Sequence, residues 1–265
     1  MSMPRPIETA SLLEQVAQIA RDAGRVIMEV YATDFDVRGK SDASPVTEAD
    51  ERAEAVIIRG LRQLAPQIPI VAEEMVAREG APQASAQFWL VDPLDGTKEF
   101  ISRNGEFTVN IALVEQGEPV MGVVFAPALD RLYAGARDAG ATVTDAAGRR
   151  RIQVRAVPPQ GLSVVASRSH GDAAALDAFL AGRQVADVVN AGSSLKLCLV
   201  AAGQADVYPR LGRTMEWDIA AGHAVLAAAG GRVDRVQGGA LTYGKPGFEN
   251  PHFAAWGGRD SSLPS

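Results

Sequence analysis

The chain has 265 residues, of which 47% are hydrophobic and 22% are charged, and its formal net charge at pH 7 is −6. This is the composition of a globular protein with ample apolar material for a core. The net negative charge argues against binding to nucleic acid polymers, because their phosphate backbone would be repelled. An anionic substrate would require metal ions or a few local Lys and Arg side chains.

The sequence also bears on the compartment. Cys198 is the single cysteine, so no disulfide forms within the chain, which fits a reducing cytosol. Residues 1–6 lack the apolar segment of a signal peptide, and no apolar run is long enough to cross a bilayer. We therefore expect a cytoplasmic protein, while peripheral membrane association and the oligomeric state stay open.

Apolar periodicity predicts the elements of the first half. Residues 8–31 carry one apolar helical stripe, and a second helix is predicted from Thr47, which is spaced from Asp50 as in a capping box, to about Leu64. Residues 75–87 are predicted to be a loop. The predicted strands span residues 68–72, 88–91, 106–115, 119–125, 132–136 and 141–144, with a hairpin turn at 116–118. This pattern predicts helices on one side of a largely antiparallel sheet.

The second half alternates between strands and helices. A segment rich in Pro and Gly at residues 157–161 is the best candidate for a boundary. We therefore predict an N-terminal α+β subdomain of residues 1–157 and a C-terminal α/β subdomain of residues 158–265, which together form one catalytic unit. The predicted strands are 162–166, 185–189 and 205–208, and the predicted helices are 173–180, 194–202 and 219–229.

The stretch DPLDGTKEF, which begins at Asp92, organises the rest of the chain. It follows the apolar strand at residues 88–91, and Pro93 biases Asp92 toward an extended conformation at the strand end. Gly96 lets a ligand approach the backbone closely, and a short helix opening at Thr97 would direct free N–H groups to the same point. Carboxylates beside such amides indicate Mg²⁺ and a phosphate ester. For Asp, Pro and Gly alone, a surface turn would be the simpler interpretation.

Acidic residues recur at strand ends and helix starts. Glu73 follows one strand, Asp92 and Asp95 follow another, Asp218 stands where a long apolar helix begins, and Asp50 lies in the first turn of a helix. Such positions can converge on one crevice of a layered α/β protein, where the carboxylates would repel one another unless divalent cations bind. Mg²⁺ suits an all-oxygen ligand set. Taken singly, Asp218 and Asp50 would be helix-capping acids and Glu73 a solvated strand end.

Three blocks resemble the motifs of the inositol monophosphatase superfamily of Mg²⁺-dependent, lithium-sensitive phosphatases. They are Glu73-Glu74, the segment DPLDGT from Asp92, and the segment WDIAAG from Trp217. These blocks occur in the order and rough spacing of that superfamily, and the resemblance covers nearly the whole chain. It implies a fold class that mixes α+β and α/β in alternating α-β-α-β-α layers, the inositol-monophosphatase-like sugar phosphatase fold.

Within that superfamily, further blocks are similar to CysQ-type 3′(2′),5′-bisphosphate nucleotidases. Inositol monophosphatases usually carry a Thr-Asn pair where Lys98-Glu99 stands, a difference that favours a nucleotide substrate. The acid that contacts inositol has no clear counterpart in residues 209–215, and whether Glu216 replaces it stays open. The similar blocks are DGTKEF from Asp95, RNGEFTVNIAL from Arg103, SRSH from Ser167, GSSLK from Gly192 and YPR from Tyr208.

The resemblance implies two metal sites built from carboxylates. Glu73, Asp92 and the carbonyl of Leu94 would hold one Mg²⁺ ion. Asp92, Asp95 and Asp218 would hold a second.

The resemblance also implies how the attacking water and the phosphate are held. Asp50 with Thr97 would orient and activate the water, and a third metal ion could bind weakly beside them. The backbone of Leu94, Asp95, Gly96 and Thr97 would cradle the phosphate.

The nucleotide would be contacted by residues from the second half. The resemblance implies Ser194, Lys196, His170 and Arg210, together with Asp218, as substrate-binding residues. Arg168 and Arg210 are candidates for the second phosphate, because a guanidinium matches phosphate oxygens with two hydrogen bonds. His170 could equally be a loop residue that only forms hydrogen bonds.

The implied reaction is hydrolysis of the 3′-phosphate of adenosine 3′,5′-bisphosphate to AMP and phosphate. It requires no covalent phosphoenzyme, so Cys198 is expected to be a core residue and His223 to be structural. Two alternatives are an inositol-phosphate or sugar-phosphate phosphatase on the same metal site, and a sensor of a phosphorylated metabolite without activity. The role of Lys40 and the preference among 3′-, 2′- and adenylyl sulfate-type nucleotides are not given by the sequence.

Overall fold

Two long helices begin the chain. The computed structural model describes residues 9–39, 45–167 and 173–258. Within it, helix α1 spans Thr9–Tyr31 and helix α2 spans Glu48–Leu64, and the short strands β1 (Val37–Gly39) and β2 (Pro45–Thr47) pair between them. The predicted capping box is confirmed, because one carboxylate oxygen of Asp50 accepts the N–H of Thr47 at 2.8 Å.

A seven-stranded sheet forms the centre of the molecule. Its strands lie in chain order from β3 to β9, and every neighbouring pair is antiparallel except β3 and β4, which are parallel. The bounds are β3 Ile70–Ala72, β4 Gln87–Asp95, β5 Thr108–Glu115, β6 Glu118–Ala126, β7 Arg131–Ala136, β8 Gly140–Asp145 and β9 Gly148–Ile152. Two helices lie between these strands in the sequence, α3 (Glu73–Glu79) and α4 (Thr97–Ile101).

The second half forms a smaller five-stranded sheet in the order β11-β10-β12-β14-β13. Strands β10, β11 and β12 are parallel, and β14 runs antiparallel to β12 and β13. The bounds are β10 Leu162–Ser167, α5 Ala173–Leu180, β11 Val185–Ala191, α6 Leu195–Ala201, β12 Val207–Arg210, α7 Glu216–Ala228, β13 Arg232–Arg235 and β14 Phe253–Trp256. The predicted alternation of strands and helices is therefore confirmed.

The long helices of the first half, α1 and α2, pack on one face of the large sheet as predicted, and the other face is covered by α7 from the second half. Successive residues of β6 face opposite cores: Val123 packs with α1 and α2, whereas Val124 packs with α7 from the second half. Helix α7 approaches very closely, since a Cβ atom on Gly122 would lie 2.2 Å from the carbonyl oxygen of Ala221. Which helix covers the second face depends on packing between distant segments, and local periodicity carries no information about it.

Two local predictions need correction. The first residues of the predicted loop, 75–79, belong to helix α3, and strand β4 continues through Asp95, with an irregular register after Asp92. The boundary at residue 157 stays a prediction. No helix in the described ranges is both long enough and apolar enough to cross a membrane.

Candidate active site

The pairing of β3 with β4 places Glu73 beside Asp92. Ala72 pairs with Val91 in the parallel register, so the residues that follow this pair, Glu73 at the start of α3 and Asp92 in β4, lie next to each other. Across the antiparallel neighbour β5, Asp92 faces Asn110. Asp92 is only 1% exposed, and one of its carboxylate oxygens accepts the N–H of Leu94 at 3.0 Å.

Four carboxylates from distant parts of the chain act on one another electrostatically. Burial, and then the charges of Glu73, Asp95 and Asp218, raise the pKa of Asp92 well above its usual range. Burial, and then the charges of Asp95 and Glu73, raise the pKa of Asp218 in the same way, although the N–H of Met215 and the charge of Arg210 oppose this shift. The predicted convergence of these acids is therefore present, and a bound cation would relieve their repulsion.

Three of these acids, Glu73, Asp95 and Asp218, border a cavity of about 370 Å³. Of the predicted site residues, Asp50, Asp92 and Leu94 are buried and do not line it. Arg168, His170 and Lys40 lie outside the described residues. The predicted residues that line the cavity are Glu73, Asp95, Gly96, Thr97, Ser194, Lys196, Arg210 and Asp218.

Asp50 and Thr97 meet at the edge of this cavity. The hydroxyl of Thr97 donates to one carboxylate oxygen of Asp50 at 3.2 Å and approaches the carbonyl of Leu94 at 3.4 Å. The other oxygen of Asp50 accepts the N–H and the hydroxyl of Thr47. Gly96 adopts a left-handed conformation with φ of 90°, which lets the chain turn into α4 directly after β4.

A hydrogen-bond network that the sequence analysis missed holds Asp95 and the start of α7. The hydroxyl of Ser193 donates to the Asp95 carboxylate at 2.8 Å, and the hydroxyl of Ser194 donates to the carbonyl of Asp218. Asn110 donates to Ser194 at 3.0 Å, and Thr108 contacts both Asn110 and Ser193 through its hydroxyl. The signal was available, because Thr108 and Asn110 are polar residues at i and i+2 in an otherwise apolar strand.

The donor set fits Mg²⁺ in kind, since it consists of carboxylate and carbonyl oxygens. However, no group of three or more acidic, His or Cys side chains in the described parts of the chain is arranged so that it could hold a metal ion as it stands. Some of the carboxylate oxygens are engaged elsewhere: Asp218 accepts the N–H of Met215 at 2.9 Å, and Asp95 accepts from Ser193. The assignment of individual metal ligands therefore stays a prediction.

Cationic residues also line the cavity, namely Lys196 and Arg210. Lys196 is buried, its Nζ lies 5.5 Å from the ring centroid of Tyr208, and burial lowers its pKa to about 8. Arg210 is oriented by a hydrogen bond of 2.8 Å from its guanidinium to the carbonyl of Arg213. The cavity thus combines carboxylates that can bind cations with cationic side chains that can bind anions.

Glu216 does not line the cavity. It is fully buried and accepts the N–H groups of Gly244 at 2.7 Å and Lys245 at 2.9 Å, and the Lys245 ammonium lies 2.6 Å away. It therefore anchors the segment around residue 244 to the start of α7. His223 forms a hydrogen bond of 2.9 Å with the hydroxyl of Tyr243 in the core. Cys198 is buried in α6, so both residues have surroundings that agree with structural roles.

Comparisons with known proteins agree with this architecture. The sequence profile of the inositol monophosphatase family matches residues 8–258. The chain is 51% identical over 246 residues to the 3′(2′),5′-bisphosphate nucleotidase CysQ of Escherichia coli O157:H7, covering 91% of this chain and 98% of that protein. It is 42% identical to CysQ of Buchnera aphidicola, covering 88% and 87% of the two chains. The crystal structure of CysQ from Bacteroides thetaiotaomicron is similar with a TM-score of 0.81 at 35% identity, covering 96% of this chain and 100% of that one.

Proposed function

Because the chain belongs to the inositol monophosphatase family, we propose that it is a Mg²⁺-dependent 3′(2′),5′-bisphosphate nucleotidase. The reaction is hydrolysis of the 3′-phosphate of adenosine 3′,5′-bisphosphate to AMP and phosphate. The observation that carries the proposal is that Glu73, Asp95 and Asp218 line the same cavity as Lys196 and Arg210. Such a cavity suits a substrate that carries two phosphates and is cleaved with the help of cations.

The metal ligands in this proposal are those implied by the resemblance. Glu73, Asp92 and the Leu94 carbonyl would hold one Mg²⁺ ion, Asp92, Asp95 and Asp218 would hold a second, and a third ion would bind more weakly near Asp50 and Thr97. Bound Mg²⁺ supplies charge neutralisation for the phosphoryl group and acidifies a coordinated water. Burial, and then the mutual repulsion of the acids, raise the pKa values of Asp92 and Asp218, which supports a cation-binding role.

The protein's own groups orient the water and take its proton. One carboxylate oxygen of Asp50 accepts hydrogen bonds from Thr47, and the other accepts a hydrogen bond from the Thr97 hydroxyl. The Thr97 oxygen can therefore accept a proton from water while its own proton passes to Asp50. Asp50 acts as the general base and Thr97 as the relay. The backbone of residues 94–97 cradles the phosphate, and the left-handed Gly96 leaves this turn free of a side chain.

The nucleotide part of the substrate is held by the cationic residues of the cavity. Lys196 and Arg210 bind phosphate oxygens, and Ser194 and Asp218 border the same space. The proposed location is the cytoplasm, which a lone buried cysteine and a nucleotide substrate both suit.

A comparison of substrates tests the proposal. Phosphate release is measured from adenosine 3′,5′-bisphosphate and from inositol 1-phosphate, each with and without Mg²⁺. We expect Mg²⁺-dependent release that is faster from the bisphosphonucleotide. Faster release from inositol 1-phosphate would make the chain an inositol-phosphate phosphatase, and no release from any phosphate ester would favour a metabolite sensor.

A further inference from the structure

Glu54 is a buried acid that the proposed reaction does not use. It lies on α2 four residues after Asp50, so both side chains project from the same face of that helix. Its side chain is only 3% exposed. Burial raises the pKa of Glu54, whereas hydrogen bonds from Arg78 and from the backbone of Met75 and Glu74 lower it. A buried carboxylate is costly unless hydrogen bonds compensate for lost hydration, so its partners indicate its role.

Those partners are the first amides of helix α3. One carboxylate oxygen of Glu54 accepts the N–H of Glu74 at 2.8 Å and the N–H of Met75 at 3.1 Å, and the other accepts from Arg78 at 2.9 Å. The residue at the N-cap position of α3, Ala72, forms no side-chain cap. Glu54 therefore does from another helix what an N-cap side chain ordinarily does within its own.

This arrangement fixes Glu73 from both sides. On one side, Ala72 is paired with Val91 in the sheet. On the other side, the amides of Glu74 and Met75 are held by Glu54. Glu73, the first residue of α3, has little freedom to move its backbone between these two anchors.

We propose that Glu54 is a positioning residue for this reaction, because it sets the placement of Glu73 relative to Asp50. Asp50, in the first turn of α2, is hydrogen-bonded to Thr97. Glu54, one turn further along the same face, holds the start of α3, whose first residue is Glu73. The inference rests on the proposed function, since it takes Asp50 as the base and Glu73 as a metal ligand.

Three substitutions separate positioning from charge and from stability. Glu54→Ala removes the carboxylate, and with it both the hydrogen bonds to the α3 amides and the negative charge. Glu54→Asp keeps the charge but shortens the side chain by one methylene, so it cannot reach the α3 amides in the same way. Glu54→Gln keeps an acceptor oxygen at the same reach but loses the charge. Asp206→Ala is the matched control, because Asp206 is an equally buried carboxylate that holds Arg155 and the N–H of Ser163 away from the cavity.

The binding of Mn²⁺ to the metal-free, full-length protein is measured by electron paramagnetic resonance. It is paired with the Mg²⁺ concentration that gives half-maximal phosphate release. We expect Glu54→Ala and Glu54→Asp to weaken Mn²⁺ binding and raise the half-maximal Mg²⁺ concentration by about 10-fold or more, as for other groups that orient metal ligands. Glu54→Gln should stay within about 3-fold of the wild type on the same scale. Asp206→Ala should lower the melting temperature without changing either metal value.

Mn²⁺ affinity of Glu54→Asp equal to that of the wild type would overturn the inference, as would weaker binding by Glu54→Gln than by Glu54→Asp. The latter result would assign Glu54 a charge effect alone. If Glu54→Ala does not fold, the Asp and Gln variants still decide the question. If the wild-type protein releases no phosphate, the proposed function fails on its own. If it does release phosphate and Glu54→Asp binds Mn²⁺ normally, only the positioning role fails.

Discussion

The hydroxyl of Thr97 donates to the Asp50 carboxylate at 3.2 Å, although the two residues are 47 positions apart in the chain. Asp50 stands in the first turn of α2, and Thr97 is the first residue of α4. Their contact joins the start of one helix to the turn that ends β4, at the border of the cavity. The pair can therefore act as one proton-accepting unit.

Disrupting this pair should stop turnover with little effect on the fold. We expect Asp50→Asn and Thr97→Ala each to lower kcat by about 10²- to 10⁴-fold, the range typical of general acid–base groups. In Asp50→Asn, the amide oxygen can still accept from Thr47, so α2 keeps its cap. Thr97→Ser retains the hydroxyl and should keep most activity.

The double variant checks that the two residues act together. Because either substitution already breaks the relay, combining Asp50→Asn with Thr97→Ala should cost little more than one alone. The measurement is kcat under saturating Mg²⁺. Fully additive losses would mean that Asp50 and Thr97 serve separate steps.

Asp95 should matter for activity and hardly at all for folding. Asp95→Asn keeps an oxygen for the Ser193 hydroxyl but removes a charge that raises the pKa values of Asp92 and Asp218. Activity should fall at least about 100-fold, since metal ions supply several kcal/mol of charge stabilisation. The melting temperature of the metal-free protein should be unchanged or higher, because repulsion is relieved. A variant that unfolds would make Asp95 a structural residue.

Arg210 should distinguish substrates with one phosphate from those with two. Arg210→Gln removes a charge-assisted hydrogen bond worth about 1.5–3 kcal/mol, so kcat/KM for adenosine 3′,5′-bisphosphate should fall about 10- to 100-fold. Values for 3′-AMP, which lacks the second phosphate, should change much less. Arg210 also contacts the Arg213 carbonyl, and loss of that contact would affect both substrates alike. An equal decrease of kcat/KM for the two substrates would therefore mean that Arg210 only orders its own loop and does not bind the second phosphate.

The close packing of α7 on β6 should make Gly122 intolerant of a side chain. A Cβ atom there would collide with backbone atoms of Ala221, and overpacking of this kind costs about 1–3 kcal/mol. For a chain of this size, Gly122→Ala should lower the melting temperature by roughly 2–12 °C. Gly212→Ala is the matched control, since no atom lies within 4 Å of its Cβ position. Equal melting temperatures for the two variants would contradict the observed packing.

The buried pair of His223 and Tyr243 should make stability depend on pH. Burial lowers the pKa of His223 to about 4, below its ordinary value of 6.5. Between these values the unfolded chain binds a proton that the folded chain does not, so the free energy of unfolding decreases as pH falls from about 6.5 to about 4, by at most about 3 kcal/mol. His223→Gln should lose this part of the pH dependence while other groups titrate as before. The free energy of unfolding is measured with denaturant at several pH values for the wild type and His223→Gln. The same pH dependence in both proteins would show that His223 does not contribute to it.

Much of the local structure and the chemistry of the site could be predicted from the sequence. The helix periodicity, the capping box of Thr47 and Asp50 and the turn at Gly96 all depend on neighbours within a few residues, and each was found where expected. The acids and their motifs also indicated a metal-assisted phosphatase, and the family is confirmed. These features are readable because capping, turn formation and side-chain chemistry are short-range properties.

Only the tertiary structure decided how the distant parts meet. The register that sets Glu73 beside Asp92, the helix α7 against the second face of the sheet, and the reach of Glu54 to the amides of α3 involve segments far apart in the chain. Strand register and helix docking depend on the summed packing of many side chains and on hydrogen bonds that no single segment encodes. The sequence by itself thus determined which groups are available, and the packing determined which of them act together.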